Sequence, residues 1–113
     1  MLSISLSDPG MFNTSIAASN WEDVQDALRS GVARNYTQAT FYEIETGRHL
    51  GFADRQVGES EWVVRRAYMV TIEPSHGGRF EVRRLFARDE ESAVRLAEKL
   101  VGSSGRVTHV EAI

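Results

Sequence analysis

The sequence contains no cysteine, which excludes disulfide staples and thiolate chemistry and permits a reducing compartment. Proline occurs only at positions 9 and 74, and no apolar run approaches the roughly 18–20 residues of a membrane helix. The first ten residues, MLSISLSDPG, lack a basic segment and interleave their apolar residues with serine, so no signal peptide is expected. A soluble, cytoplasmic protein is therefore expected. Lysine is nearly missing as well: of thirteen bases only Lys99 is not arginine. With 113 residues, 42% of them apolar, one domain spanning 1–113 is expected, since domains most often run to roughly 100–150 residues.

The net charge of −3 is unevenly spread. Residues 1–59 carry eight acids against four arginines, and residues 60–113 carry nine bases against eight acids. Arginine suits planar, two-pronged contact with carboxylate or phosphate. A negative chain with one lysine still disfavours nucleic acid as the partner, because binding to its backbone needs a clear basic excess.

The stretch from Trp62 to Leu100 organises the chain, because there the apolar period changes from two to about 3.6 near Asp89. Trp62, Val64, Tyr68, Val70 and Ile72 share one face of a long strand. Pro74–Gly78 turns, and Phe80, Val82 and Phe86 continue that face if Ile72 pairs with Phe80 and Val70 with Val82. Arg65, Met69, Thr71, Glu73, Arg79, Glu81 and Arg83 then take the solvated face, with Glu73 across from Arg79. Asp89 caps a helix with Glu90 and Glu91 in its first turn, favourable positions for acids. Ala93, Leu96, Ala97 and Leu100 form its buried stripe, Gly102 ends it, and Val107–Ile113 is a last strand. The crossover to that strand could make a parallel pair.

Upstream, Leu2, Ile4 and Leu6 alternate with serines on a strand that Asp8-Pro9-Gly10 terminates. Met11–Ala18 has no clear period and reads as a loop. A capping box of Ser19 and Glu22 opens a helix whose stripe is Trp21, Val24, Leu28 and Val32, stopped at Gly31. Ala39–Ala53 reads as a hairpin with a three-residue loop Glu45-Thr46-Gly47, Tyr42 opposite Leu50, and Phe41 on the face away from Tyr42, Ile44, Leu50 and Phe52. Asp54–Glu61 is polar and reads as a flexible connection. The predicted order is β-α-β-β-β-β-α-β, an α+β fold with a mostly antiparallel sheet and two helices.

Chemistry-bearing constellations are sparse. His49, His76 and His109 sit in separate elements, without the convergent ligand set a zinc site needs, so neither metal nor cofactor is expected. Gly58-Glu59-Ser60-Glu61-Trp62 lacks the second glycine of a nucleophile elbow, and no phosphate-binding glycine loop occurs. Glu43 and Glu45 at i, i+2 read as a solvated edge rather than a glycosidase pair. No catalytic residue is assigned. A small enzyme built on dispersed residues such as His109 and Glu111 is an alternative.

The arginine doublets Arg65-Arg66 and Arg83-Arg84 break the pattern. In the predicted register Arg66 faces Phe86 and Arg84 faces Tyr68 on the nominally buried side, where an unpaired charge is costly. The guanidiniums could reach water at a sheet end over packed stems, a bulge could flip local parity, or the four arginines could form a cationic patch. That patch, with Trp62 and Tyr68 as aromatic anchors, is the candidate partner-binding site, because Trp, Tyr and Arg dominate interface hot spots.

In size, lack of cysteine and hairpin-then-capped-helix pattern the chain resembles the small proteins that phages use to inhibit host machinery, anti-CRISPR proteins among them. Those proteins share no common motif, so the resemblance assigns no residue. It implies stoichiometric, non-enzymatic binding to a bacterial protein complex that blocks its nucleic-acid site or nuclease recruitment. The expectation is a protein-binding module, with a nucleic-acid or phosphate binder using the same arginines as the alternative. No membrane partner is expected, and a homodimer closing unpaired terminal strands is left open.

Overall fold

The computed structural model describes residues 1–56 and 58–113. Val57, in the connection expected to be flexible, lies outside them. The fold is α+β, with seven strands and two α-helices among the described residues. The chain divides into two compact units, Met1–Val64 and Arg65–Ile113. No helix among the described residues is long and apolar enough to cross a membrane.

In the first unit β1 (Leu2–Ser7) pairs antiparallel with β2 (Thr14–Ala18) and with β3 (Gln38–Glu43), which pairs with β4 (His49–Asp54). Leu2, Ile4 and Leu6 are buried, as their alternation requires. Asp8–Met11 closes as a turn, with the Met11 amide donating to Asp8 O at 3.1 Å. β2 was expected as a loop. Its weak signal has a physical cause, because Ala18 is its one buried residue.

The first helix differs in detail. Asn20, not Ser19, caps it: extended at φ −157°, Asn20 accepts the Asp23 amide through its side chain at 3.1 Å. One 3₁₀ turn (Trp21–Asp23) leads into α1 (Val24–Leu28), whose Val24 and Leu28 are buried. Trp21 meets Phe41 edge-on at 5.3 Å between ring centres. The helix stops at Arg29, before Gly31, so Val32 falls outside it and is exposed.

The β3–β4 hairpin inverts the expected faces. Gly47 is left-handed at φ +72°, as predicted, but Glu43 pairs with Arg48, giving a four-residue loop. Phe41 then pairs with Gly51 and Tyr42 with His49, leaving Leu50 as an extra residue in β4. This bulge changes parity along the hairpin. Phe41 and Leu50 are both buried, while Tyr42 and Ile44 are exposed.

Beyond β4, Arg55 ties the connection down. Its guanidinium donates to the carbonyls of Tyr36 (2.8 Å), Glu59 (3.0 Å) and Arg34, and lies 5.4 Å over the Trp62 ring. An arginine used this way satisfies three carbonyl acceptors that a loop would otherwise leave to water.

In the second unit β5 (Val63–Pro74) is central from Arg65 on, flanked by β6 (Glu81–Ala87) and β7 (Gly105–Ala112), both antiparallel to it. The helix α2 (Glu90–Val101) joins β6 to β7, which run in the same direction with β5 between them rather than as a parallel pair. Tyr68, Val70 and Ile72 pack beneath Ala93 and Ala97, with Leu85, Ala87, Val101, Val107 and Val110 completing the core. Facing the sheet is the i, i+4 row Ala93–Ala97–Val101. Leu96 and Leu100 lie about 60° around the helix from that row and are exposed. In β7 the register shifts at Thr108: Val107 pairs with Ile72 and Val110 with Val70, so both valines face the helix although their spacing is odd. Glu73 pairs with Arg106, not Arg79, through a 2.6 Å ion pair.

Gly105 marks a close approach. It is extended, and a Cβ there would lie 2.8 Å from Glu73 O and 3.1 Å from Ile72 and Val101 side-chain carbons. Gly105→Ala is expected to cost about 1–3 kcal/mol through overpacking, whereas Gly31→Ala, with open space around it, stays within about 0.5 kcal/mol; urea midpoints compare the two.

Asp89 caps α2 as predicted, accepting the Ser92 amide at 2.7 Å, a bond that holds its carboxyl below the ordinary 3.8. A carboxylate depressed in the folded state adds stability that is present above the unfolded value and lost as pH falls through the folded one. Asp89→Asn keeps an acceptor that does not titrate. The wild type should exceed this variant in urea midpoint at about pH 6, with the difference shrinking as pH falls below the ordinary carboxylate range.

Candidate interaction surface

The β5–β6 register sets the surface of the second unit. Ile72 pairs with Glu81, Val70 with Arg83, Tyr68 with Leu85 and Arg66 with Ala87. This is one residue away from the predicted pairing, and a one-residue slip sends every β6 side chain to the other face. The turn carries left-handed glycines at φ +77° and +110°, and strand pairing resumes only at Glu81. Phe80 and Val82, expected in the core, are 58% and 54% exposed.

The four arginines consequently divide. Arg84 pairs with Met69 and shares its face with Arg65, the face away from α2. Arg83 pairs with Val70 and shares the helix side with Arg66. No single patch of four exists, and the predicted placement of Arg84 against Tyr68 is corrected by the register. Arg66 is half-buried, its guanidinium 5.9 Å over the Tyr68 ring. Arg83, level with buried Val70, is exposed on β6 and donates through Nε to Glu81 at 2.7 Å. The aromatic anchors are not at the surface: Trp62 and Tyr68 are each 5% exposed. Burial pushes the Tyr68 phenol up, opposed by the Arg66 charge.

A different set of side chains meets on the open face. Val82 and Arg84 point there with Met69, and the Arg84 guanidinium lies 5.5 Å over the Phe86 ring. Phe80 leads into this row. Stacking holds the long arginine stem over an aromatic while its remaining N–H groups stay available to a partner. The residues missed in the sequence are therefore Phe80, Val82 and Met69. Their signal was present in the alternation itself, but reading it required knowing how many residues the glycine turn consumes.

Of the other candidates, His109 and Glu111 lie on this same face, paired with Thr71 and Met69 of β5. The Tyr42 and His49 rings are 5.5 Å apart, and His49 Nε2 lies 3.0 Å from Gly51 O. His109 and Glu111 are exposed on β7, 3.8 Å apart. Glu43 accepts from Thr46 Oγ1 at 2.7 Å and Arg48 at 3.2 Å, and the Thr46 bond above all holds its carboxyl below the ordinary range. Glu45 lies in the hairpin loop, 3.4 Å from the N-terminal amine, so these two carboxylates do not act as a pair. A shallow cleft of about 230 Å³ is lined by Glu73, Pro74, Ser75, Gly105 and Arg106, its charges matched by the Glu73–Arg106 pair. In the first unit Phe12 is 94% exposed, its carbonyl held by the Tyr36 hydroxyl at 2.7 Å.

Val82→Ser should change stability by less than about 0.5 kcal/mol, while Val70→Ala should cost about 2 kcal/mol. Equal losses at the two positions in a urea titration would restore the predicted register.

Comparison with protein-family models, with curated proteins and with solved structures returns no match to this chain.

Proposed function

We propose that this chain is a non-enzymatic protein-binding module, and in the narrower form a stoichiometric inhibitor of a bacterial protein complex. The observation that carries the reading is the open face of the β5–β6 pair: Phe80, Val82 and Met69 exposed beside an arginine stacked on Phe86. Apolar side chains in solvent together with a stacked arginine match the composition of interface centres, which are rich in aromatics, Met and Arg. Such exposure has a cost in solubility that a docking role explains. The arginines themselves support a protein partner over a phosphate backbone. Arg83 and Arg106 are matched by Glu81 and Glu73, and the remaining cations lie on more than one face.

The test is affinity capture from bacterial lysate with wild type and with the Val82→Asp, Arg84→Glu double variant. The wild type should retain a protein that survives nuclease treatment of the lysate, and the double variant, folded by circular dichroism, should lose it by at least about tenfold. Material lost on nuclease treatment, together with oligonucleotide binding that falls steeply with salt, would instead establish the nucleic-acid reading. The inhibitory form predicts that an equimolar amount of the chain abolishes the activity of the captured complex.

A further inference from the structure

The edge of β6 carries a pattern that fits itself. Among the described residues β6 has one neighbour, β5, and its residues Glu81, Val82, Arg83 and Arg84 are all exposed, with exposed Phe80 before them. Set two copies of Phe80–Arg84 antiparallel, related by a two-fold axis through Val82. Val82 then meets the second copy's Val82, Glu81 meets Arg83, Arg83 meets Glu81, and Phe80 and Arg84 meet each other twice. Opposed residues of an antiparallel pair share a face. The two Glu–Arg pairs therefore fall together on the α2 side, and Phe80, Val82 and Arg84 fall together on the open side.

We infer that the chain forms a two-fold dimer by pairing β6 with β6 of a second copy, centred on Val82. Charge complementarity argues for this occupant. Within one chain the Glu81–Arg83 contact engages Oε1 and Nε, leaving the second carboxylate oxygen and the terminal guanidinium nitrogens for the second copy. The Arg84 guanidinium lies over Phe86, and in the pairing Phe80 of the second copy approaches its other side. A centre one residue later, at Arg83, sets like charges directly opposite. A centre at Arg84 does the same with its own copy. Among these three only the Val82 centre sets no like charges opposite each other and matches each Glu81 with an Arg83. An isologous pairing of this kind uses up the edge and stops at two copies. The ladder is short and its apolar part small, so association is expected in the micromolar range. The inference goes beyond the docking proposal and does not need it, since a dimer would form with or without a separate protein partner.

Sedimentation equilibrium of the full chain, over micromolar to near-millimolar concentration, tests it. The wild type should follow a monomer–dimer equilibrium that weakens as salt is raised. Glu81→Arg and Arg83→Glu should each weaken the dimer at least about tenfold by opposing like charges, and the Glu81→Arg, Arg83→Glu double variant should recover it to within a few fold. Val82→Arg, which sets two charges on the axis, should abolish it. Each variant is checked by circular dichroism and urea midpoint, and these positions are exposed enough to leave folding intact. A wild type that stays monomeric throughout, a dimer indifferent to the single variants, a double variant no better than the singles, or growth beyond two copies would each overturn the proposal.

Discussion

The pairing of Ile72 with Glu81 assigns every β6 side chain its surroundings. It places Leu85 and Ala87 beneath α2, leaves Glu81 and Arg83 exposed on β6 beside buried Ile72 and Val70, and turns Val82, Arg84 and Phe86 to the open face. The helix follows from the same pairing. Because Leu85 and Ala87 fill the end nearest Asp89, α2 can sit on alanines, and its leucines are left outward. A register is cooperative in this sense, since no residue can change face without the rest of the strand. The surface chemistry of the second unit is thus a consequence of how many residues the turn after Pro74 consumes.

The first unit depends on fewer, more local fixtures. Trp21 on Phe41 joins the helical segment to the sheet, and Arg55 gathers three carbonyls from two separate stretches under one planar group. A lysine could not do the same, because one ammonium cannot span that fan of acceptors. Here the arginine-rich composition has a structural use. Arg55 over Trp62, Arg66 over Tyr68 and Arg84 over Phe86 all pair a guanidinium with a ring.

What could be read from the sequence was local. Leu2–Leu6 alternation, the Asp8–Gly10 turn, left-handed Gly47 and the Asp89 cap each depend on a few adjacent residues, and each is present. The α+β class followed from them. Face assignments in both hairpins did not follow, because parity carried across a loop is lost if the loop is one residue longer or a bulge intervenes. Phe41 and Tyr42 exchanged places for the second reason, and Phe80 and Val82 left the core for the first. The arginine anomaly was legible as an anomaly only. Arg84 was never on the buried side, and Arg66 is there with Tyr68 beside it.

The extra residue at Thr108 works as a phase shifter. Upstream of it Val107 faces the helix, downstream Val110 does, and a uniform strand could satisfy only one of them. Thr108 could therefore be exchanged for many other side chains at little cost. Its loss would keep Val107 opposite Ile72 and Val110 opposite Val70 and turn the bulge into a regular ladder. One residue more between the two valines would instead need a second unpaired position. The length of this strand is thus freer to shrink than to grow at this point.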